Sequence, residues 1–182
     1  RSSSASAYHG VIHGTRIVKL VPQGLQARID LDPASFSEGF RAVGFEPAWQ
    51  GQSSVRRTDR AALTSPETAA LIRACLAEAC PQLEVQAISA YLRLYRYEVG
   101  HYFDWHVDLP QPLDGFESTH TCLICLEAGY DGGVLVLSPL EGEDSRLTLE
   151  AGDVVIFDHN TLHKVEPITR GRRLVLRTDL AL

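Results

Sequence analysis

From Val85 onward the chain breaks into eight short apolar segments separated by glycine, aspartate and proline: 85–97, 102–107, 120–127, 133–138, 146–150, 154–157, 163–166 and 173–178. Short apolar runs with turn signals between them restrict the architecture to a β-sandwich, a jelly roll or a small barrel. The run from Thr121 to Leu126 is apolar on both parities. A strand there sends Cys122 and Cys125 to opposite faces, where they are expected as small buried hydrophobes and not as half of a zinc site. Before residue 85 the signals are helical. Ser65-Pro66-Glu67 opens an alanine-rich stretch with Leu71, Ile72, Cys75, Leu76 and Ala79 at helical spacing, and Pro81 stops it. Asp32-Pro33 reads as the start of another helix, running to about Val43 and closed by Gly44, with a short strand and turn over 44–55. The expectation is one α+β, mainly β domain over 1–182, in which a helix-and-strand support region, 1–84, packs outside a β core, 85–182.

Composition removes several functions. The 182 residues carry a formal net charge of −6, so there is no excess of basic charge for phosphate recognition, and a nucleic-acid partner is not expected. No apolar run approaches bilayer length and no hydrophobic signal core stands near the start, so no membrane partner is expected either. Four cysteines do not make a disulfide framework. A cytoplasmic protein in a reducing compartment is the expectation.

Chemistry concentrates in Tyr97-Glu98-Val99-Gly100-His101-Tyr102-Phe103-Asp104-Trp105-His106-Val107-Asp108. On an extended strand His106 and Asp108 leave the same face with Cα atoms about 6–7 Å apart, close enough to chelate one metal. One further imidazole would complete a two-histidine, one-carboxylate set with open positions for substrate and oxygen, and His120, His159 and His163 are the later candidates. Period two also places Tyr91, Arg93, Tyr95 and Tyr97 on one face of the preceding strand, which makes Arg93, with Tyr91 and Tyr95, a candidate substrate contact. Arg56 and Arg60 are further candidate anchors, and the Leu109–Ser118 loop, with two prolines and a glycine, is a candidate rim over the site.

In order and spacing, several motifs together resemble the catalytic domain of prolyl-4-hydroxylase-like iron(II), 2-oxoglutarate-dependent dioxygenases. They are Tyr97-x-x-Gly100-x-x-Phe103-x-x-His106-x-Asp108, Thr121 with Leu123 and Leu126, Gly132-Gly133, Gly152-Asp153 before Ile156-Phe157, His163, Gly171-x-Arg173 and the ending Leu176-Arg177-Thr178-Asp179. The resemblance implies a double-stranded β-helix, a cupin-like jelly roll, with the metal at one open end and packing helices contributed by the N-terminal region. It implies His106, Asp108 and His163 as iron ligands and catalytic centre, His163 being expected as an accessible ligand outside the packed core. It implies Arg173 as the partner of the distal carboxylate of 2-oxoglutarate, helped by Tyr97 and Thr121, with Arg172 as the alternative if strand parity runs the other way.

The cofactors implied are iron(II), 2-oxoglutarate as cosubstrate and O2, with ascorbate as an optional accessory. Retention of Asp108 favours hydroxylation over halogenation. The departures are Gly132-Gly133-Val134-Leu135-Val136-Leu137, where the family often has Gly-Gly-Glu-Thr-x-Phe, and Phe103, where tyrosine is common. The implied substrate is a small amino-acid-like or biosynthetic molecule. Peptidyl proline is the alternative, and a non-catalytic jelly-roll binding module is the alternative from another class.

Overall fold

The computed structural model describes residues 8–12, 15–20, 41–44 and 55–182, with side chains from residue 55 onward. The first elements are β1 (Tyr8–Ile12), β2 (Thr15–Leu20), β3 (Arg41–Gly44), β4 (Arg56–Thr64) and α1 (Pro66–Ala79). Next come β5 (Ala87–Ile88), β6 (Tyr91–Tyr97), β7 (Tyr102–His106), β8 (Pro112–Leu113), β9 (Phe116–Glu117), β10 (His120–Glu127), β11 (Asp131–Gly132) and β12 (Leu135–Ser138). The chain closes with β13 (Ser145–Leu147), β14 (Val154–Asp158), β15 (Leu162–Val165), β16 (Ile168–Arg170) and β17 (Arg173–Ala181).

The main sheet is antiparallel and runs β1-β2-β14-β10-β17-β6-β4-β7-β15-β12-β13. It rolls onto itself. Five strands lie between β14, which carries Phe157, and β15, which carries His163, in this order, yet the two rings meet edge-on with centroids 4.7 Å apart. The mainly β, jelly-roll expectation is thus met. Rolling divides the core into two layers, and β10 shows why its run had to be apolar on both parities. Cys122, Ile124 and Leu126 pack outward with Leu92, Leu94 and the buried face of α1, while Leu123 and Cys125 face the interior of the roll with Phe157 and Val175. Both cysteines are free and fully buried, one in each layer.

The single helix among the described residues starts and stops where its sequence signals lie. Ser65 caps it, its hydroxyl accepting from Thr68 N at 3.2 Å; Pro66 occupies the first turn, and Cys80, just before Pro81, is the C-cap. The other expected helix lies mainly outside the described residues, and its end is corrected: residues 41–44 form strand β3, paired with β4 from Arg41↔Arg60 to Gly44↔Arg57. Strand pairing wins there over a local cap signal. Strand β4 is itself invisible to a hydrophobic pattern, since Arg56-Arg57-Thr58-Asp59-Arg60 is mostly charged. It nevertheless sits between β6 and β7, with Thr58 and Ala61 buried. Residues before 85 therefore supply strands to the same sheet that carries the 85–182 segment, including one that pairs with both β6 and β7.

Candidate metal centre and its two cavities

Strands β7 and β15 pair antiparallel with His106 directly opposite His163, and Asp108 follows two residues beyond the end of β7. One ligand atom from each of the three residues lies within 4.8 Å of the other two. The orientation of each imidazole is set by a backbone carbonyl. His106 Nδ1 donates to Asp104 O at 2.7 Å and His163 Nδ1 donates to Thr161 O at 2.9 Å, so each ring presents Nε2. Burial pushes the His106 imidazolium down to about 4, helped by the neighbouring His163, and burial likewise lowers His163. Both rings are thus neutral donors near pH 7. Burial alone would raise the Asp108 carboxyl, but Arg177, His163 and the Thr121 hydroxyl outweigh it and hold the group below its ordinary value.

Two neutral Nε2 atoms and one carboxylate suit a divalent first-row metal. The packing differs from expectation in one respect. His163 is 5% exposed, not an accessible ligand, because β15 forms an inner wall of the roll and Phe157 covers the ring. His106 stacks on Phe103 with centroids 3.5 Å apart, so the aromatic at position 103 acts as a platform for the ligand ring.

Behind the three residues lies an inner chamber with an empty volume of about 390 Å³, walled by Tyr95, Tyr97, Phe103, Leu135, Val175 and Arg173 among others. Strand parity turns Arg173 inward and Arg172 outward. Arg172 is exposed and forms a fork with Glu127 at 2.6 and 2.9 Å, whereas Arg173 pairs with Tyr97 across β17 and β6 and is 1% exposed. Arg173 Nη1 reaches Gly133 O at 3.3 Å, and its guanidinium lies 5.4 Å from the Tyr97 ring centroid and 5.9 Å from that of Tyr130. Its buried Nε has no hydrogen-bond partner, and no carboxylate among the described residues pairs with it. A buried, always-charged group in that state is costly. Gly133 is needed at this point: its φ is +57°, and a Cβ there would collide with Ile168 Cδ1.

Thr121, expected beside Arg173, is elsewhere. It faces Asp108 instead, its hydroxyl donating to Asp108 Oδ2 at 2.5 Å and lying 3.0 Å from His159 Nδ1. Its position on β10, opposite Phe157 and Asp179, brings it behind the carboxylate and not into the chamber.

On the other side of His106 and Asp108 an outer cleft opens, with an empty volume of about 930 Å³, and Arg56, Arg60, Arg93 and Arg177 line it together with Tyr95 and Leu109. Arg177 pairs with Asp108 Oδ1 at 2.7 Å and with Asp179 Oδ1 at 3.2 Å, and Arg93 pairs with the other oxygen of Asp179. Arg177 is the site residue that the sequence pattern did not single out. The signal was present, since period two from Arg173 through Val175 reaches Arg177. The four candidates on β6 separate by depth. Tyr97 lines the chamber, Tyr95 lines both cavities and Arg93 lines the cleft. Tyr91, 45% exposed, lines neither and lies against the Arg93 guanidinium, 5.5 Å from ring centroid to charge.

The rolled antiparallel sheet brings two histidines and an aspartate to the mouth of a chamber with a buried arginine inside it, and residues 92–178 match the model of the 2OG-Fe(II) oxygenase superfamily. Over that segment, just under half of its length, the chain resembles the superfamily and is prolyl-4-hydroxylase-like. It is 36% identical over 86 residues to the PKHD-type hydroxylase HEAR3399 of Herminiimonas arsenicoxydans, a match covering 43% of this chain and 38% of the relative. The chain spans about two-fifths of the length of the curated relatives that it matches at this level. Its fold is similar to that of a Pseudomonas putida prolyl-4-hydroxylase, with a TM-score of 0.61 and 18% identity over 90% of this chain and 91% of that one. It is also similar to a Trichoplax adhaerens prolyl hydroxylase solved with a hypoxia inducible factor peptide fragment, with a TM-score of 0.65 and 15% identity over 92% and 83% of the two chains. The superfamily works with iron(II), 2-oxoglutarate and O2, and the His106, Asp108 and His163 set fits the metal.

Proposed function

We propose that this chain is an iron(II)- and 2-oxoglutarate-dependent dioxygenase that hydroxylates an unactivated C–H of a small amino-acid-like or biosynthetic substrate held in the outer cleft. Its 182 residues act as one domain, with 85–182 as the catalytic core. The observation that carries this reading is Arg173, a buried guanidinium without a carboxylate partner among the described residues, in the same chamber as His106, Asp108 and His163.

His106, Asp108 and His163 would hold the iron. Arg173 would receive the distal carboxylate of 2-oxoglutarate bidentately, with the buried Tyr97 ring beside it. When bound, iron(II), 2-oxoglutarate and O2 supply the oxidising chemistry: one oxygen atom enters the succinate formed as carbon dioxide leaves, and the other enters the substrate C–H bond. The apolar wall of Phe103, Leu123, Leu135, Val165 and Val175 keeps the chamber dry. Arg60 and Arg56 at the cleft would hold a substrate carboxylate and orient the carbon beside the metal.

A second reading, peptidyl-proline hydroxylation, is favoured by the open cleft edged with the exposed Val107 and Leu109, and by the likeness to a fold solved with a peptide. Anaerobic reconstitution with iron(II) and 2-oxoglutarate, followed by O2 and a panel of metabolites and proline-containing peptides scored by succinate release, separates the two. Turnover of free amino acids or small carboxylic acids supports the first reading. Turnover of the peptides alone reverses the substrate and leaves the metal chemistry standing. No stimulated turnover and no iron-dependent decay of 2-oxoglutarate would sink both.

A further inference from the structure

Asp108 is held by more than a charge. Its Oδ1 faces Arg177 and its Oδ2 accepts from Thr121, and the hydrogen bonds continue past Thr121 into the loop that edges the outer cleft. Thr121 has one hydroxyl proton, and it goes to Asp108. The oxygen must therefore accept from His159 Nδ1, 3.0 Å away, which places that ring's proton on Nδ1. The neutral ring then accepts at Nε2, 2.8 Å from Ser118 Oγ, so the Ser118 hydroxyl donates there. Ser118 Oγ in turn accepts from the backbone N–H of Gln111 at 2.8 Å, while Ser118 N donates to Gln111 O at 2.8 Å.

Every proton in this chain has one assignment, running from Gln111 through Ser118, His159 and Thr121 to Asp108. Three of these residues are fully shielded: Ser118 is 1%, His159 2% and Thr121 0% exposed. Gln111 and Ser118 close the base of the β8–β9 hairpin, and Gln111 itself lines the outer cleft. The backbone repeats the connection, since Asp108 N donates to His159 O at 3.1 Å and His159 N donates to Thr119 O at 2.9 Å.

We propose that Ser118, His159 and Thr121 are positioning residues: a directional hydrogen-bond relay that ties the base of the 111–118 hairpin to the Asp108 carboxylate, so that the cleft loop sets the orientation in which this ligand meets the metal. Buried networks of this kind couple their members, and truncating a group that orients a metal ligand commonly weakens metal binding by about 10–100-fold. The inference rests on the reading of Asp108 as a metal ligand, and the experiment separates the two.

The metal-free full chain is titrated with Co(II), following affinity by calorimetry and ligand geometry by the visible d–d bands. Asp108→Ala is expected to weaken binding by more than about 100-fold. Thr121→Val is expected to weaken it by about 10–100-fold and to shift the bands. Thr121→Ser, which keeps the hydroxyl, is expected to stay within about threefold of the parent, as a merely space-filling role would not require. Ser118→Ala, two side chains away from Asp108, is expected to weaken binding by about threefold or more with a band shift in the same direction, and the double variant with Thr121→Val to be no weaker than Thr121→Val alone.

Co(II) binding and bands unchanged in Ser118→Ala, or losses that multiply in the double variant, overturn the relay while Asp108→Ala still reports the ligand. Unchanged binding in Asp108→Ala overturns the ligand reading and the relay together. If Thr121→Val gives no cooperative thermal melt, Ser118→Ala and Thr121→Ser decide the matter.

Discussion

The inner chamber and the outer cleft share the His106–Asp108 wall, and both contain arginines, but the arginines differ in what surrounds them. In the cleft, Arg93 and Arg177 bracket Asp179, and Arg177 also faces Asp108, so protein carboxylates offset both charges. In the chamber, Arg173 is more deeply buried than either and, among the described residues, meets a carbonyl and two aromatic rings. Burying a charge is tolerated when a partner is present. The contrast therefore separates arginines whose charge is offset by carboxylates of the protein from one whose charge is not offset among the described residues. Arg56 and Arg60 form an intermediate case at the cleft's edge, half-buried on a strand that is mostly charged over its first five residues.

The sharpest test of that contrast is Arg173→Ala. It should raise the 2-oxoglutarate requirement of the iron-loaded protein by roughly 2–5 kcal/mol, on the order of 30-fold or more, with little change in melting temperature, and Arg173→Lys should recover much of the loss. Equilibrium binding of 2-oxoglutarate measures it. A large drop in stability with unchanged 2-oxoglutarate affinity would move Arg173 into the structural class.

Arg93→Ala should do the reverse. It removes one partner of a buried pair and should lower unfolding stability by roughly 3 kcal/mol in chemical denaturation, while 2-oxoglutarate affinity stays near the parent value. Arg60→Gln should fall between them, leaving stability and 2-oxoglutarate binding intact and raising KM for a carboxylate-bearing prime substrate about tenfold, close to 1.4 kcal/mol. An unchanged KM would show that the cleft recognises its substrate without this arginine. The smallest effect is expected from Arg172→Ala, since the fork to Glu127 is solvent-exposed and such pairs contribute about 0.2–1 kcal/mol. A marked loss of 2-oxoglutarate binding in that variant would reverse the assignment of inward and outward residues on β17.

Much of the site was legible because it depends on period and local spacing. His106, Asp108, Arg173 and Tyr97 lie on or beside strands whose alternation can be followed by eye, and the apolar run of β10 announced a strand buried on both faces. His163 as the third imidazole came from the resemblance and not from spacing, since 57 residues of separation carry no local signal; pairing opposite His106 supplies the contact. Thr121 stands out in the sequence as a candidate site residue, but its place beside Asp108 and not beside Arg173 does not. Its distance from Asp108 depends on how β10 lies behind the end of β7, which no local pattern encodes.

By itself, then, the sequence determined the strand-rich segment from Val85, the capped helix at 66–79 and the residue types that chelate a metal and hold a carboxylate. Those follow from steric preference, hydrophobic periodicity and ligand chemistry, all of which act over a few residues. Only the tertiary structure decided that a charged strand, Arg56–Thr64, enters the sheet between β6 and β7, that Arg177 and Thr121 grip the two oxygens of Asp108, and that His159 links that carboxylate to the cleft loop. These contacts join residues far apart in the chain, and they form because the sheet rolls and leaves buried polar groups that must find partners across it.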